Sequence, residues 1–227
     1  SDFLYLANRD RTVFLFDGQA CEKDAHVQTY LRLGEERGAD KKYLTANRHP
    51  WYALENRQPS PIWVSVFNRN GLRFVRNKAG VYNLTTFHCV YNIGEIDTDI
   101  LFAYLVTHVS KEIFLDNSRQ YGNGLVKFEP NDLNKGNVVD LRLLTPAEKT
   151  FVLMAYDKLK NEGVVLHQTI SVLDDFFSAK YSDGRMDLQR FIDRLNEIEM
   201  ENGIVEKIEI KTERTKQLNF FDVFESA

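Results

Sequence analysis

Up to about residue 144, short apolar runs are cut by turn pairs; from Thr145 onward the apolar spacing is helical. Residues 3–6 and 13–16 read as two short strands, the second stopped by Asp17-Gly18. Residues 24–37 read as a helix, with Val27, Tyr30, Leu31 and Gly34 on one stripe and Gly38 as its stop. Residues 62–67 and 72–75 flank Asn68-Arg69-Asn70-Gly71 and predict a β-hairpin closed by that turn. Residues 81–93 are rich in Tyr, Thr, Phe and Val and suit a sheet. Thr98-Asp99 caps an apolar helix running to about residue 109, and Tyr121-Gly-Asn-Gly124 breaks the chain before a strand over 125–128.

Thr145-Pro-Ala-Glu148 is a capping box with proline at the first helical position, and Gly163 stops the helix it opens. A second helix covers roughly residues 168–180. A third carries Leu188, Phe191, Leu195 and Ile198 on one face and ends at Gly203. Residues 204–210 alternate as a short strand. These elements predict an α+β protein: a domain of mixed sheet and hairpin over residues 1–144, a small helical domain over 145–205, and a short strand and tail over 206–227.

Charge adds what the pattern lacks. The net charge is −4, which argues against indiscriminate coating of nucleic acid. Between Lys41 and Lys78, however, there are eight basic residues (Lys41, Lys42, Arg48, Arg57, Arg69, Arg73, Arg76, Lys78) against one acid, Glu55. After Thr145 the balance reverses, to 11 basic and 16 acidic residues. The basic segment suits phosphates and the remainder repels them. Read alone, it is either a nucleic-acid surface or a solvated face, and Trp51, Trp63 and Phe74 suit either a core or base stacking.

Other chemistries find little support. Cys21 and Cys89 form no CxxC pair and suggest reduced thiols in a cytoplasm. The five histidines lack metal-ligand spacing. No apolar stretch is long enough to cross a membrane, and no phosphate-binding glycine loop or GxSxG is found. Glu209-Ile-Lys211 on a predicted strand suits either a nuclease or a solvated edge. Arg190 and Arg194 on the last long helix would suit a winged-helix-like regulator, but Asp187, Asp193, Glu197 and Glu199 surround them. Tyr121-Gly-Asn-Gly124 is either a plain turn or a place where backbone amides approach a phosphate. The chain begins at Ser-Asp with no initiator Met or leader, and reads as a segment of a longer protein.

The order of several pieces resembles the C-terminal specificity region of the gamma-class, Taq-like N6-adenine DNA methyltransferases of restriction–modification systems. Tyr30-Leu-Arg-Leu-Gly34-Glu comes first, then Arg48-His-Pro-Trp-Tyr52 and Pro61 leading into a strand. Arg73-Phe-Val-Arg-Asn77, Asn83-Leu-Thr-Thr-Phe-His88 with Tyr91, and Tyr121-Gly-Asn-Gly-Leu-Val-Lys-Phe-Glu-Pro130 follow. The likeness covers residues 28–133. It implies a target-recognition domain gripping double-stranded DNA opposite a separate catalytic domain of the same parent chain. That other half would hold S-adenosylmethionine and carry an Asn-Pro-Pro-Tyr motif for the flipped adenine; this chain has neither that motif nor a glycine-rich cofactor loop, so no catalytic or cofactor residue carries over. By the resemblance, Asn47, Arg48 and Tyr52 are backbone-contact candidates and Arg69, Asn70 and Arg73 groove candidates. Arg76, Lys78 and Asn123 complete the DNA-binding set, while Asn77 and His88 would hold the fold.

Overall fold

A computed structural model describes residues 5, 8–9, 16–54, 57–69, 71–116, 118–136, 138–160, 163–182 and 186–202. The expected strands at 3–6, 13–16 and 204–210, apart from Tyr5 and Phe16, lie outside these residues, as do Asn70, Glu209 and Lys211. The chain forms two compact units, one of residues 1–59 and 79–82, the other of residues 60–78 and 83–227.

In the first unit, α1 (Ala25–Glu36) begins where predicted because the Asp24 carboxylate accepts from the amides of His26 and Val27 at 2.7 and 3.2 Å. Gly38, at φ +70°, ends it. Of the predicted stripe, Leu31 is buried and Tyr30 is exposed, its ring edge-on to Phe16 at 5.0 Å. A short helix, α2 (Tyr43–Ala46), follows.

The second unit holds two three-stranded antiparallel sheets. In the first, β1 (Ile62–Ser65) lies between β3 (Phe74–Arg76) and β4 (Phe87–Val90). The second comprises β2 (Phe67–Asn68), β5 (Arg119–Tyr121) and β6 (Leu125–Lys127), with β6 central. The predicted hairpin forms between β1 and β3, but not with a four-residue turn. Pairing closes at Val64 opposite Phe74, so residues 65–73 form one long excursion. The cause is Asn68, which is buried rather than at a turn tip; its side chain binds the Ser65 hydroxyl and donates to the Ser65 carbonyl at 2.9 Å. Val66 links the sheets: its amide bonds the Thr86 carbonyl and its carbonyl accepts from Phe128 N, each at 3.1 Å.

Helices cover the first sheet. The predicted helix from residue 98 divides into α3 (Thr98–Leu105) and α4 (His108–Leu115), and its cap is Asp97, one residue before Thr98. Thr107 starts α4, its hydroxyl accepting from Ser110 N at 3.2 Å. After α5 (Pro130–Asn134), α6 (Pro146–Lys158) opens with the predicted capping box: Thr145 Oγ1 accepts from Glu148 N and Glu148 Oε2 from Thr145 N. α7 (Val164–Lys180) begins earlier than expected, because Gly163 caps it at the N-terminus instead of stopping α6. α8 (Leu188–Glu201) buries Phe191, Leu195 and Ile198 as predicted, and Ile192 beside them.

One apolar core runs from Ile62, Val64, Leu72 and Phe74 through Ile100 and Tyr104 to Phe151, Phe176, Phe177 and Leu195. Leu141 and Leu144 lie inside it, so packing is continuous across residue 144. Phe151, Phe176, Phe177 and Phe191 stack through tilted and edge-to-face contacts at 4.8 to 6.2 Å.

Candidate nucleic-acid interface

The structure distributes the candidate residues over both units. In the first, α2 ends at Asn47, an exposed residue whose side-chain amide donates to the Tyr43 carbonyl at 2.6 Å. Arg48 folds inward, Nη1 donating to the Ala53 carbonyl at 3.0 Å and so holding the bend between them. Tyr52 donates its hydroxyl to Glu22 at 2.8 Å, and that carboxylate pushes the phenol pKa above its ordinary value. Trp51 Nε1 donates to Glu35 at 3.1 Å, its ring edge-on to Tyr52. Trp51 packs where Gly34 leaves room: a Cβ at Gly34 would lie 2.7 Å from Trp51 Cη2. The glycine of the Leu33-Gly34-Glu35 run is thus a seat for an indole.

In the second unit the basic run divides in two. Arg76 donates Nε to Asp99 at 2.7 Å and Nη1 to the Pro61 carbonyl at 2.7 Å, with its side chain 18% exposed. Lys78 Nζ bonds the other Asp99 oxygen at 2.8 Å and lies 5.2 Å from the centre of the Tyr156 ring. Burial raises the Asp99 pKa, but the hydrogen bonds from Lys78 and Arg76 outweigh it and hold the carboxyl below its ordinary range. These two cations fasten the sheet to α3. Arg69 and Arg73, in contrast, are exposed on the 65–73 excursion and make no ion pair with any described residue. The Arg73 backbone is pinned to Ser65, accepting from its amide at 3.0 Å. This segment therefore presents two guanidinium groups that have no ion-pair partner among the described residues.

Asn123 caps the hairpin between β5 and β6. It is exposed, in the left-handed region at φ 63° and ψ 33°, followed by Gly124 at φ +67°. The Tyr121–Gly124 sequence is thus a tight turn, with Tyr121 paired to Leu125. Asn77 and His88 hold the fold: Asn77 Nδ2 donates to the Ser60 carbonyl, and His88 Nε2 donates to the Phe128 carbonyl at 2.9 Å. Cys89 donates its thiol to Asn83 Oδ1.

Sequence reasoning missed one group. Across the second sheet Phe67, Lys127 and Arg119 lie opposite one another and therefore on the same face, with Tyr121 and Leu125 beyond them. The turn at Tyr121–Gly124 and the strand after it lie where the sequence predicts; the strand before it, Arg119–Tyr121, is not predicted, and its pairing with Leu125–Lys127 forms this face.

Among the described residues no cluster of His, Cys, Asp or Glu could hold a metal ion, and no helix is long and apolar enough to cross a membrane. Arg194 pairs with Asp175, which removes one cation from the face a regulator would use.

An α+β chain with exposed arginines on one loop beside a small sheet suits a binding surface. The family described as "Type II methyltransferase M.Eco57I, C-terminal domain" matches residues 1–176, and the chain belongs to it. It is 48% identical over 190 residues to the Type II methyltransferase M.AccI of Acinetobacter calcoaceticus, covering 79% of this chain and 35% of that protein. It is also 27% identical over 123 residues to the Type II methyltransferase M.XamI of Xanthomonas campestris pv. amaranthicola, covering 54% of this chain and 23% of the relative. The chain thus spans about a third of M.AccI and less of M.XamI, and corresponds to the C-terminal region of a restriction–modification methyltransferase. No solved structure matches it.

Proposed function

We propose that this chain is the target-recognition part of a site-specific methyltransferase, binding double-stranded DNA so that a catalytic domain of the same parent can methylate an adenine at N6. S-adenosylmethionine would be held by that other domain, whose glycine-rich loop and Asn-Pro-Pro-Tyr motif are absent from these residues. Such an enzyme would work in the bacterial cytoplasm. Chemistry on a base requires the base outside the stack, and sequence choice requires contacts to base edges from a second surface.

The observation that carries this reading is the division of the basic run. Arg76 and Lys78 are committed to Asp99, whereas Arg69 and Arg73 are exposed on a pinned excursion without an anion among the described residues. Arginine so placed can neutralise a phosphate or fork onto a guanine edge. Asn70 stays a groove candidate by the resemblance alone, and Asn123 at the hairpin tip can offer an amide to adenine. Within the first unit Asn47 is a backbone-contact candidate, while Arg48 and Tyr52 act by shaping the bend around it. Binding of a labelled mixed-sequence duplex at several salt concentrations tests this. Arg69→Ala/Arg73→Ala should flatten the slope of log affinity against log salt by about one unit per phosphate contact removed. An unchanged slope would remove the excursion from the interface.

A further inference from the structure

Arg69 and Arg73 share one excursion but are held very differently. Arg73 stands between Leu72 and Phe74, both buried in the core. Because side chains alternate along extended chain, its guanidinium is turned away from that core. Both polar groups of its main chain are fastened to Ser65. The Ser65 amide donates to the Arg73 carbonyl at 3.0 Å, and the Arg73 amide donates to Ser65 Oγ at 3.3 Å. Ser65 is itself set between the buried Val64 and Val66.

A second link fixes the Ser65 hydroxyl. Buried Asn68 accepts from Ser65 Oγ at Oδ1 and donates Nδ2 to the Ser65 carbonyl at 2.9 Å. A hydroxyl has one proton; given to Asn68, it leaves a lone pair for the Arg73 amide. An apolar residue would fill the place of Asn68 without the cost of burying an amide. What the amide adds is a fixed direction for the chain at residue 73. Arg69, exposed, stands just beyond the end of β2 and two residues before Gly71 at φ +85°. Neutralising a phosphate needs charge and little angular precision. A fork onto a base edge must be aligned to within about 10–20°.

We propose that Arg73 is a specificity-determining residue that forks onto a guanine edge, that Arg69 takes a backbone phosphate, and that Ser65 and Asn68 are positioning residues that align Arg73. This division of roles rests on the DNA-recognition reading and deepens it. Neither arginine has an ion-pair partner among the described residues. The two donors of the Arg73 fork match the O6 and N7 acceptors that guanine presents in the major groove. Ser65 acts only through the Arg73 main chain, and Asn68 only through Ser65.

The test uses this 227-residue chain, a pool of randomised duplexes and a labelled mixed-sequence duplex. Arg73→Lys keeps the charge but loses the fork. It should lower the preference for guanine at one position of the selected site by about tenfold and leave the salt slope unchanged. Ser65→Ala should lower the preference at that same position, and Ser65→Thr, which keeps a hydroxyl, should retain it. Added to Arg73→Lys, Ser65→Ala should remove little more, because both act on one contact. Arg69→Ala should instead flatten the salt slope by about one unit and keep the preference. All binding is measured well below each variant's melting transition, so a loss of stability alone moves neither readout. If Arg73→Lys or Ser65→Ala keeps the guanine preference while Arg69→Ala flattens the slope, the division of roles is wrong and the recognition reading stands. Duplex binding without base preference in the unaltered chain overturns the roles of Arg73, Ser65 and Asn68 and leaves DNA binding in place. If the unaltered chain binds no duplex, the recognition reading fails and this inference with it.

Discussion

At the scale of residues, the first unit depends on an absence. Alanine is a better helix former than glycine by about 1 kcal/mol, so Gly34→Ala in α1 would ordinarily stabilise. Here the added Cβ meets Trp51 Cη2 at 2.7 Å, and Trp51 cannot swing away cheaply, being hydrogen-bonded to Glu35 and edge-on to Tyr52. Overpacking costs about 1–3 kcal/mol, which exceeds the helix gain. Gly34→Ala should therefore lower the melting temperature and shift tryptophan emission; a rise in melting temperature would mean that the indole yields. Asp99 sets a second expectation. Its carboxyl pKa is held below the ordinary 3.8 in the folded chain, so its contribution is complete above that value and is lost as pH falls through the folded pKa. Acid titration of stability should show this loss below pH 3.8, and Asp99→Asn should remove it while freeing Arg76 and Lys78.

At the scale of elements, the sequence was readable wherever a signal was local. The helix read over residues 24–37, the Thr145–Glu148 box and the apolar face of α8 depend on neighbours within one or two turns, and all three stand. What was hidden depends on distant partners. Asn68 meets Ser65 only three residues away, but no local signal reveals that β2 then pairs with β6, far along the chain. The same holds for the break after α3. Asp174, on α7, accepts from the amides of His108 and Val109 at 2.6 and 3.1 Å and binds His108 Nδ1 at 2.6 Å. A carboxylate some 66 residues away thus starts α4 where the apolar pattern alone would continue α3. Of the candidate interface, the arginines were legible as a run. Their division into structural and free members was not, because Asp99 lies outside the run. Asp174→Ala should cost about 0.5–2 kcal/mol, the range for a lost helix cap, and Asp174→Asn should recover part of it by keeping an acceptor oxygen. Urea unfolding of the pair decides the point: equal losses would mean that the amide contacts contribute nothing.

At the scale of the second unit as a whole, the sheets that carry the proposed contacts share one core with helices far along the chain. α8 packs on α7 and α6, α6 on α3, and α3 on β3. This layering is closed at its far side by the ion pair of Lys158 and Glu199, whose side chains are only 7% and 12% exposed. The second Glu199 oxygen is buried without a hydrogen-bond partner among the described residues, so the carboxylate depends heavily on its lysine. Removing one partner of a buried pair leaves an uncompensated charge and costs about 3–5 kcal/mol, whereas replacing both with apolar groups is often neutral. Lys158→Met should therefore destabilise strongly, and Lys158→Met/Glu199→Leu should regain most of the loss. Because the pair touches neither Arg69 nor Arg73, DNA affinity measured well below the melting transition should be unchanged in the double variant. A double variant as unstable as the single one would show that the pair contributes geometry as well as charge. A double variant that is stable but binds DNA poorly would mean that the helices after Thr145 take part in binding directly.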